Sequence, residues 1–333
     1  MKILITGAAG FVGSHVLKKA KELGLEVLGI DNFSNYYSPD YKKLRLEYLG
    51  INLKSDLHTC DISIFEQVQT AVRNFEPEYI VHLAAQAGVR LTLADSDQYI
   101  SANVKGFHNL IRSSIENNVK GILYASSSSV YGDSLAIPYS ENTSNLKPKS
   151  IYGVTKLCNE MYAEIQSKAS NLRLRGLRYF TIYGPWGRPD MAYFRLAAAV
   201  LNQGRFTLYG NGSIKRDFTY IDDVVDNTLS LLQDLILRDE SFSDIVNIGG
   251  GRPLDMNYLI GLISKKGSNN LDLIKANESK YDSRITMADN SYLKSILGDL
   301  KFTDLEQGVE RLMSWASQEN IKPNLGEWSQ SSV

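Results

Sequence analysis

Short apolar runs recur along the chain at intervals that each leave room for one helix. Lys2–Thr6, Glu26–Ile30, Glu78–Leu83, Gly121–Ala125, Leu174–Tyr179 and Asp244–Ile248 have the length and apolar density of buried strands. Between the first two lies Ser14–Leu23, whose apolar positions repeat with helical spacing. Strands alternating with helices predict an α/β fold built on a doubly wound parallel sheet. The rhythm fails at Tyr183-Gly-Pro-Trp-Gly-Arg-Pro189, where glycine and proline cluster. A second, smaller α/β lobe is expected to begin there. The division drawn is 1–180 for the sheet, rejoined by about 217–248, and 181–333 for the second lobe. From Asn320 onward the pattern loses its period, and a loosely ordered tail is expected.

Composition narrows the functional classes. A chain of 333 residues can bury a large core and form two lobes. Its net charge of −1, with acids and bases interspersed, gives no basic footprint for nucleic acid. No apolar run reaches membrane-spanning length, and the first sixteen residues read as strand, turn and helix rather than a signal peptide. A cytoplasmic location is therefore expected. Cys60 and Cys158 match no zinc spacing or disulfide framework, so no metal is expected.

Two local patterns carry chemistry. The first is Gly7-Ala-Ala-Gly10-Phe11-Val12-Gly13, set between the first strand and its helix. Gly7 permits a tight turn, Gly10 lets backbone approach a pyrophosphate, and Gly13 lets helix pack on strand. Phosphates would lie at the helix N-terminus. Asp31 closes the second strand, where a carboxylate bonds the adenosine ribose and repels a 2′-phosphate. The expected cofactor is NAD. The second pattern is Tyr152-x-x-x-Lys156, which places a phenol and an ammonium on one helical face. A free tyrosine titrates near pH ~10 and is a poor base. A cation about 4 Å away favours the phenolate by roughly 4 kcal/mol at an effective dielectric of about 20. That would bring Tyr152 into the range of a general base.

These segments, with His82-Leu83-Ala84-Ala85, Ser126-Ser-Ser-Ser-Val-Tyr-Gly132 and Arg216-Asp-Phe-Thr-Tyr-Ile-Asp-Asp223, give the sequence a recognisable likeness. It resembles the extended short-chain dehydrogenase/reductases of the nucleotide-sugar epimerase/dehydratase family, whose sheet is the Rossmann fold. Within that family it is most similar to UDP-glucuronate 4-epimerases. The likeness is carried by Ala85-Gln-Ala-Gly-Val-Arg90, by Asp31-Asn32 with Tyr36-Tyr37, and by Phe180-Thr-Ile-Tyr-Gly-Pro-Trp-Gly-Arg-Pro-Asp-Met191. One departure stands out: Tyr281-Asp-Ser-Arg284 replaces the Pro-Gly-Asp-Val usual in these epimerases.

The resemblance implies a mechanism and a set of residues. NAD would take a hydride from carbon 4 of a UDP-sugar, the 4-keto sugar would turn over, and the hydride would return to its other face. Ser127 would help Tyr152 take the hydroxyl proton, and Lys156 would also hold the nicotinamide ribose. Asn32, Asp61, Ile62, Leu83, Ala84, Ala85, Asn103 and Tyr179 would face the cofactor. Arg90, Ser128, Thr181, Arg188 and Arg216 would face the substrate, with Arg216 on the pyrophosphate and Arg90 on either the nucleotide or the cofactor phosphates. Structural alternatives stand beside several of these: Asn103 as a backbone bridge, Tyr179 as core, Arg188 paired with Asp190, Arg216 paired with Asp217, Asp222 or Asp223. A homodimer built through helices is usual for such proteins.

Single positions weigh the competing activities. Dehydratases of this kind carry Thr-Asp-Glu before Val-Tyr-Gly, where this chain has Ser127-Ser128-Ser129. Decarboxylases of UDP-glucuronate carry a glutamate at the position of Ser129, which makes decarboxylation the runner-up, beside epimerisation of another UDP-hexose. An acidic sugar oxidised at carbon 4 is a β-keto acid, which loses carbon dioxide when its carboxylate bond aligns with the carbonyl π system. Arg188 is the candidate that grips the carboxylate in two-point fashion and holds it out of alignment. Thr181 stands where galactose-type epimerases usually carry asparagine. From a different class, a non-catalytic NAD-binding regulator can share the same fold.

Overall fold

In the computed structural model, residues 1–88, 96–133, 136–202, 204–267, 271–277 and 283–330 are described. The strands are β1 (Lys2–Thr6), β2 (Glu26–Asp31), β3 (Leu57–Thr59), β4 (Tyr79–His82), β5 (Gly121–Ser127) and β6 (Arg173–Tyr179). They continue as β7 (Thr181–Tyr183), β8 (Arg205–Tyr209), β9 (Lys215–Tyr220), β10 (Ser243–Ile248), β11 (Pro253–Asp255) and β12 (Asp272–Ala276). The helices are α1 (Phe11–Glu22), α2 (Pro39–Tyr48), α3 (Phe65–Phe75), α4 (Ser96–Tyr99), α5 (Gly106–Glu116) and α6 (Ile151–Ala169). Beyond them lie α7 (Ala192–Leu201), α8 (Ile221–Leu237), α9 (Met256–Ser264), α10 (Ser291–Leu297), α11 (Leu305–Ala316) and α12 (Leu325–Gln330).

The principal sheet has seven strands, all parallel, in the order β10-β6-β5-β4-β1-β2-β3. This is the doubly wound α/β arrangement that the strand–helix alternation predicts. Side chains alternate between its faces, as strand geometry requires. Ile3, Ile5, Val81, Leu123 and Val246 join the core under α1 and α8. Leu4, Ile30, Ile80, Ile122 and Leu174 join the opposite core under α3 and α5. Strand order reverses between β1 and β4, and parallel sheets bind ligands in the crevice at such a point.

β10 adds to the outer edge of β6, after the chain has left the sheet at β7. A charge holds that joint. Arg175 is fully buried on β6 and grips Asp244 of β10 through Nε and Nη2, each at 2.7 Å, while Nη1 reaches Asp234 at 2.7 Å. A buried arginine is tolerable only when paired in this way. The remaining strands form a three-stranded sheet, β11-β9-β7, and a two-stranded sheet, β12-β8. The tail is more ordered than its sequence suggests, because Ile321, Leu325 and Trp328 are buried there. Among the described residues, no helix is long and apolar enough to cross a membrane.

Candidate active site

One cleft of about 1090 Å³ runs across the carboxyl ends of the strands, from the glycine turn to the β8 and β9 region. Its first part is made by backbone. Gly7 has φ +70°, and a Cβ placed there would lie 2.6 Å from the Ala84 amide nitrogen. A Cβ on Gly13 would lie 2.1 Å from the Gly7 carbonyl oxygen. Helix α1 starts at Gly10 without a side-chain cap and with no acid in its first turn, so its positive end faces the cleft uncompensated.

Phe11, Val12, Asn32, Asp61, Ile62, Leu83, Ala84 and Ala85 line the same end. Asp31 ends β2 with its carboxylate fixed, Oδ2 accepting from Ala9 N at 3.0 Å and Oδ1 from Phe33 N at 2.8 Å. Asn32 donates to Asp61 Oδ2 at 3.1 Å, and Asp61 also accepts from Ser63 N and Oγ. These residues fit a dinucleotide: close backbone at a helix N-terminus, then an acid at the next strand end.

Further along, Tyr152 and Lys156 occupy one face of α6, as their spacing requires, and Ser150 caps that helix by accepting from Gly153 N at 3.1 Å. Lys156 is 1% exposed, donates to Ala125 O at 2.7 Å, and lies 5.8 Å from the centroid of the Tyr152 ring. Burial draws its pKa down to about 8, against the pull of Glu160.

The phenol departs from the expectation drawn from spacing. Burial raises the Tyr152 pKa above its ordinary value, and what pulls it back is the Arg188 charge and the Ser127 hydroxyl rather than Lys156. The reason is desolvation: a phenolate loses more by leaving water than a cation seated against a carbonyl returns.

The serine run is now resolved. Ser126 Oγ donates to the buried Glu160 carboxylate, which Arg178 holds at 2.9 and 2.7 Å. Ser127 Oγ donates to Ser129 Oγ at 3.0 Å and accepts from Ser129 N at 3.1 Å. Ser127 is thus the serine set against Tyr152, with Ser128 beside it in the cleft lining.

At four positions for which two readings were given, the structure shows what holds the side chain. Asn103 is 1% exposed and makes three hydrogen bonds: it accepts from Gln86 N at 2.8 Å and donates to Gln86 O and Thr155 Oγ1. It bridges backbone segments, the structural alternative. Tyr179 turns its hydroxyl onto Thr228 at 2.9 Å, so its phenol belongs to the packing against α8, although the residue borders the cleft. Arg188 holds Asp190 in two-point fashion, Nε to Oδ1 at 3.0 Å and Nη2 to Oδ2 at 2.6 Å. The acids named beside Arg216 hold other groups. Asp217 accepts from Gly251 and Ala288 amides, Asp222 meets Arg311, and Asp223 accepts from Thr303. Arg216 itself donates to Lys215 O and to Ser283 O at 2.7 Å while lining the cleft.

Thr181 lines the cleft from β7. Arg90, Tyr281 and Asp282 lie outside the described residues.

The loop from Gly184 to Met191 is seated by α2. Tyr41 donates to Gly187 O at 2.8 Å, Arg45 Nε donates to Trp186 O at 2.9 Å, and Trp186 is buried among Tyr41, Tyr48, Trp315 and Trp328. Sequence reasoning did not find these supports, nor Tyr36, which donates to Asp190 Oδ2 at 3.1 Å. The tyrosine pair at 36 and 37 was the available signal.

Comparison with known proteins bears on all of this. The model of the NAD dependent epimerase/dehydratase family matches residues 3–249. The CapI protein of Staphylococcus aureus is 34% identical, over 95% of this chain and 98% of its own. UDP-glucuronate 4-epimerase 4 of Arabidopsis thaliana is 35% identical, over 94% of this chain and 74% of its own. Among solved structures, a UDP-glucuronic acid 4-epimerase from Bacillus cereus, in complex with UDP-glucuronic acid and NAD, matches with a TM-score of 0.86 and 30% identity, covering 95% of this chain and 98% of its own. A UDP-glucose 4-epimerase from Thermotoga maritima, with UDP-glucose, matches with a TM-score of 0.84 and 28% identity over 95% and 98%.

Proposed function

The chain belongs to the NAD dependent epimerase/dehydratase family, and on that premise we propose that it interconverts UDP-glucuronate and UDP-galacturonate by inverting carbon 4. Family membership makes NAD its cofactor, as the sequence resemblance implied. When bound, NAD takes up and returns a hydride, and its oxidised ring brings a positive charge into the cleft. The residues that would hold it are the glycine turn, Asp31, Asn32, Asp61 and Lys156.

The observation that carries the reading is the setting of Tyr152. Its part-buried phenol meets the Ser127 hydroxyl and lies within electrostatic reach of the Arg188 cation. Tyr152 takes the proton from the sugar hydroxyl at carbon 4, and Ser127 orients that hydroxyl. The Arg188 charge, the Ser127 hydroxyl and the positive charge of bound NAD favour the phenolate form that accepts this proton, a charge that disappears as the transfer is made. No carboxylate stands at positions 127–129 to eliminate water, which disfavours dehydration.

The choice of an acidic sugar is supported by Arg188. A guanidinium has five N–H donors on two usable edges, and Asp190 occupies only the Nε–Nη2 edge. The edge carrying Nη1 remains for a substrate carboxylate, with Thr181 and Ser128 as neutral donors nearby in the cleft. Arg216 is assigned to the pyrophosphate.

The test is to incubate the protein with UDP-glucuronate and follow the anomeric and carbon 4 protons by NMR. UDP-galacturonate is expected without added NAD. Conversion of UDP-glucose with no action on UDP-glucuronate would replace the acidic sugar by a neutral one.

We further propose a cytoplasmic homodimer. Cys60 and Cys158 are unpaired, as suits a reducing compartment. Val154, Met161 and Ile165 are 54%, 63% and 61% exposed along one face of α6, an apolar strip that a second copy would cover. Light scattering is expected to give the mass of two chains; a monomer at micromolar concentration would exclude the pairing.

A further inference from the structure

The Arg188 guanidinium assigned above to the sugar carboxylate is itself held by a second carboxylate, and the holding is elaborate. Asp190 meets it at two points, which fixes the plane of the fork rather than merely its position. Asp190 cannot swing, because its Oδ2 also accepts from Tyr36. Tyr36 in turn cannot retreat: a Cβ at Gly88 would lie 2.4 Å from its hydroxyl oxygen, so backbone abuts the phenol. The Tyr36 ring also lies 5.8 Å from Arg188 Cζ. Both charged groups are largely buried, with Arg188 and Asp190 side chains 23% and 16% exposed. Burial opposes each charge, yet the pair overcomes it: the Arg188 pKa rises and the Asp190 pKa falls.

We propose that Asp190, braced by Tyr36, is a positioning residue that sets the plane of Arg188 and so keeps the oxidised sugar from losing carbon dioxide. The inference rests on the proposed function, since it needs a substrate carboxylate on the free edge of Arg188. Donors on the two edges of one planar guanidinium lie in one plane. Fixing one edge with Asp190 therefore fixes the plane offered to the sugar.

The reaction avoided is written as follows. With carbon 4 a ketone, the bond from carbon 5 to the carboxylate carbon breaks and carbon dioxide leaves. Its electron pair becomes the carbon 5–carbon 4 double bond of an enolate, whose charge rests on the carbon 4 oxygen. A proton then adds at carbon 5 to give a UDP-4-keto-pentose. The hydride removed from carbon 4 stays on the cofactor, so each ketopentose released leaves one reduced cofactor behind. Loss of carbon dioxide requires the breaking bond to lie perpendicular to the carbonyl plane. A carboxylate held by a fixed fork does not reach that orientation; one held by a turning fork does.

The test compares wild type, Asp190→Asn, Tyr36→Phe and Arg188→Leu on UDP-glucuronate and on uncharged UDP-glucose. Readouts are the ratio of ketopentose to UDP-galacturonate by NMR, the near-ultraviolet absorbance of reduced nicotinamide, and substrate affinity by calorimetry. Asparagine keeps the shape of Asp190 but offers only one acceptor oxygen, so the two-point hold is lost. In Asp190→Asn the decarboxylated fraction is expected to rise roughly tenfold or more over wild type, matched by reduced cofactor. Tyr36→Phe should shift the ratio in the same direction by less, and Arg188→Leu should set the upper limit. If Asp190→Asn does not fold, Tyr36→Phe decides the matter, because it removes one hydroxyl from a largely intact ring contact. An unchanged product ratio in the folded variants, whatever their rate, would overturn the role of Asp190 and leave the substrate assignment standing. Failure of the wild type itself on UDP-glucuronate would overturn both.

Discussion

At the turn between β1 and α1 the cleft is made of backbone, whereas at the loop from Thr181 to Met191 it is made of side chains supported from distant parts of the chain. In the first region the tolerances are absolute: Gly7 and Gly13 stand where a single added carbon would enter backbone atoms. In the second, Arg188 takes its orientation from Asp190, Tyr36 and, through the loop, from Tyr41 and Arg45. A backbone-made site can hold one kind of ligand and resists alteration. A side-chain-made site can be altered one contact at a time, which is where a family sharing one cofactor is free to diversify its sugars.

The sharpest way to break this contrast is Gly13→Ala. The new Cβ would sit 2.1 Å from Gly7 O, and that oxygen cannot move without carrying the turn with it. NAD content on purification and turnover should be lost together, with a lowered melting temperature. A variant that retained bound NAD would show the turn to be more pliant than its contacts imply.

Tyr152→Phe should separate the two regions. It leaves the glycine turn intact, so NAD should remain bound, while turnover falls about 10²- to 10⁴-fold with the loss of proton transfer. Cofactor content by absorbance and rate by NMR are the paired measurements, and a rate near wild type would remove Tyr152 from the mechanism.

Asp31→Ala probes a side chain at the end of the cleft assigned to the cofactor. Loss of a charge-assisted hydrogen bond costs about 1.5–3 kcal/mol, so NAD affinity should drop about ten- to hundredfold. Discrimination against NADP should shrink by more than that, since repulsion is removed as well. Titration with both dinucleotides would tell; an unchanged preference would move the selectivity elsewhere.

The smallest effect is one of pH. The Lys156 pKa of about 8 lies below that of an unfolded lysine, so the folded protein sheds this proton first. Between about pH 8 and pH 10 the unfolded chain holds more protons there, and this residue's contribution to stability rises with pH. If the ammonium serves catalysis, turnover should fall over the same interval. Rate and urea midpoint should therefore move in opposite directions as pH rises through about 8, relative to Lys156→Met, which has no such proton to lose. Parallel movement would separate Lys156 from the chemistry.

The difference in construction also explains what could be read in the chain. The principal sheet and the glycine turn were legible because backbone constraints write themselves as residue types: glycine where nothing else fits, apolar runs where both faces are covered. The Tyr152–Lys156 spacing was legible for the same reason, as helical geometry. Their energetics were not, because burial depends on what packs above α6 from elsewhere. Arg188 was identified by type and Asp190 named as its alternative partner, yet the brace on that pair could not be found, since Tyr36 lies 154 residues before Asp190. Asn103 and Tyr179 sit beside the cofactor end in sequence context, and only the fold shows that Gln86 and Thr228 claim their polar atoms.

The joint between β6 and β10 has a consequence for how the protein comes off the ribosome. Arg175 is made 59 residues before Asp234 and 69 before Asp244, the carboxylates that make its burial tolerable. A nascent chain that has just finished β6 holds a cation at the rim of its sheet that must stay in water. That rim can dry only after the excursion through β7, β8, β9 and α8 has been synthesised and β10 delivered. Completion of the seven-stranded sheet is thus timed by the segment that builds the β8 and β9 end of the cleft, so that neither half reaches its final packing without the other.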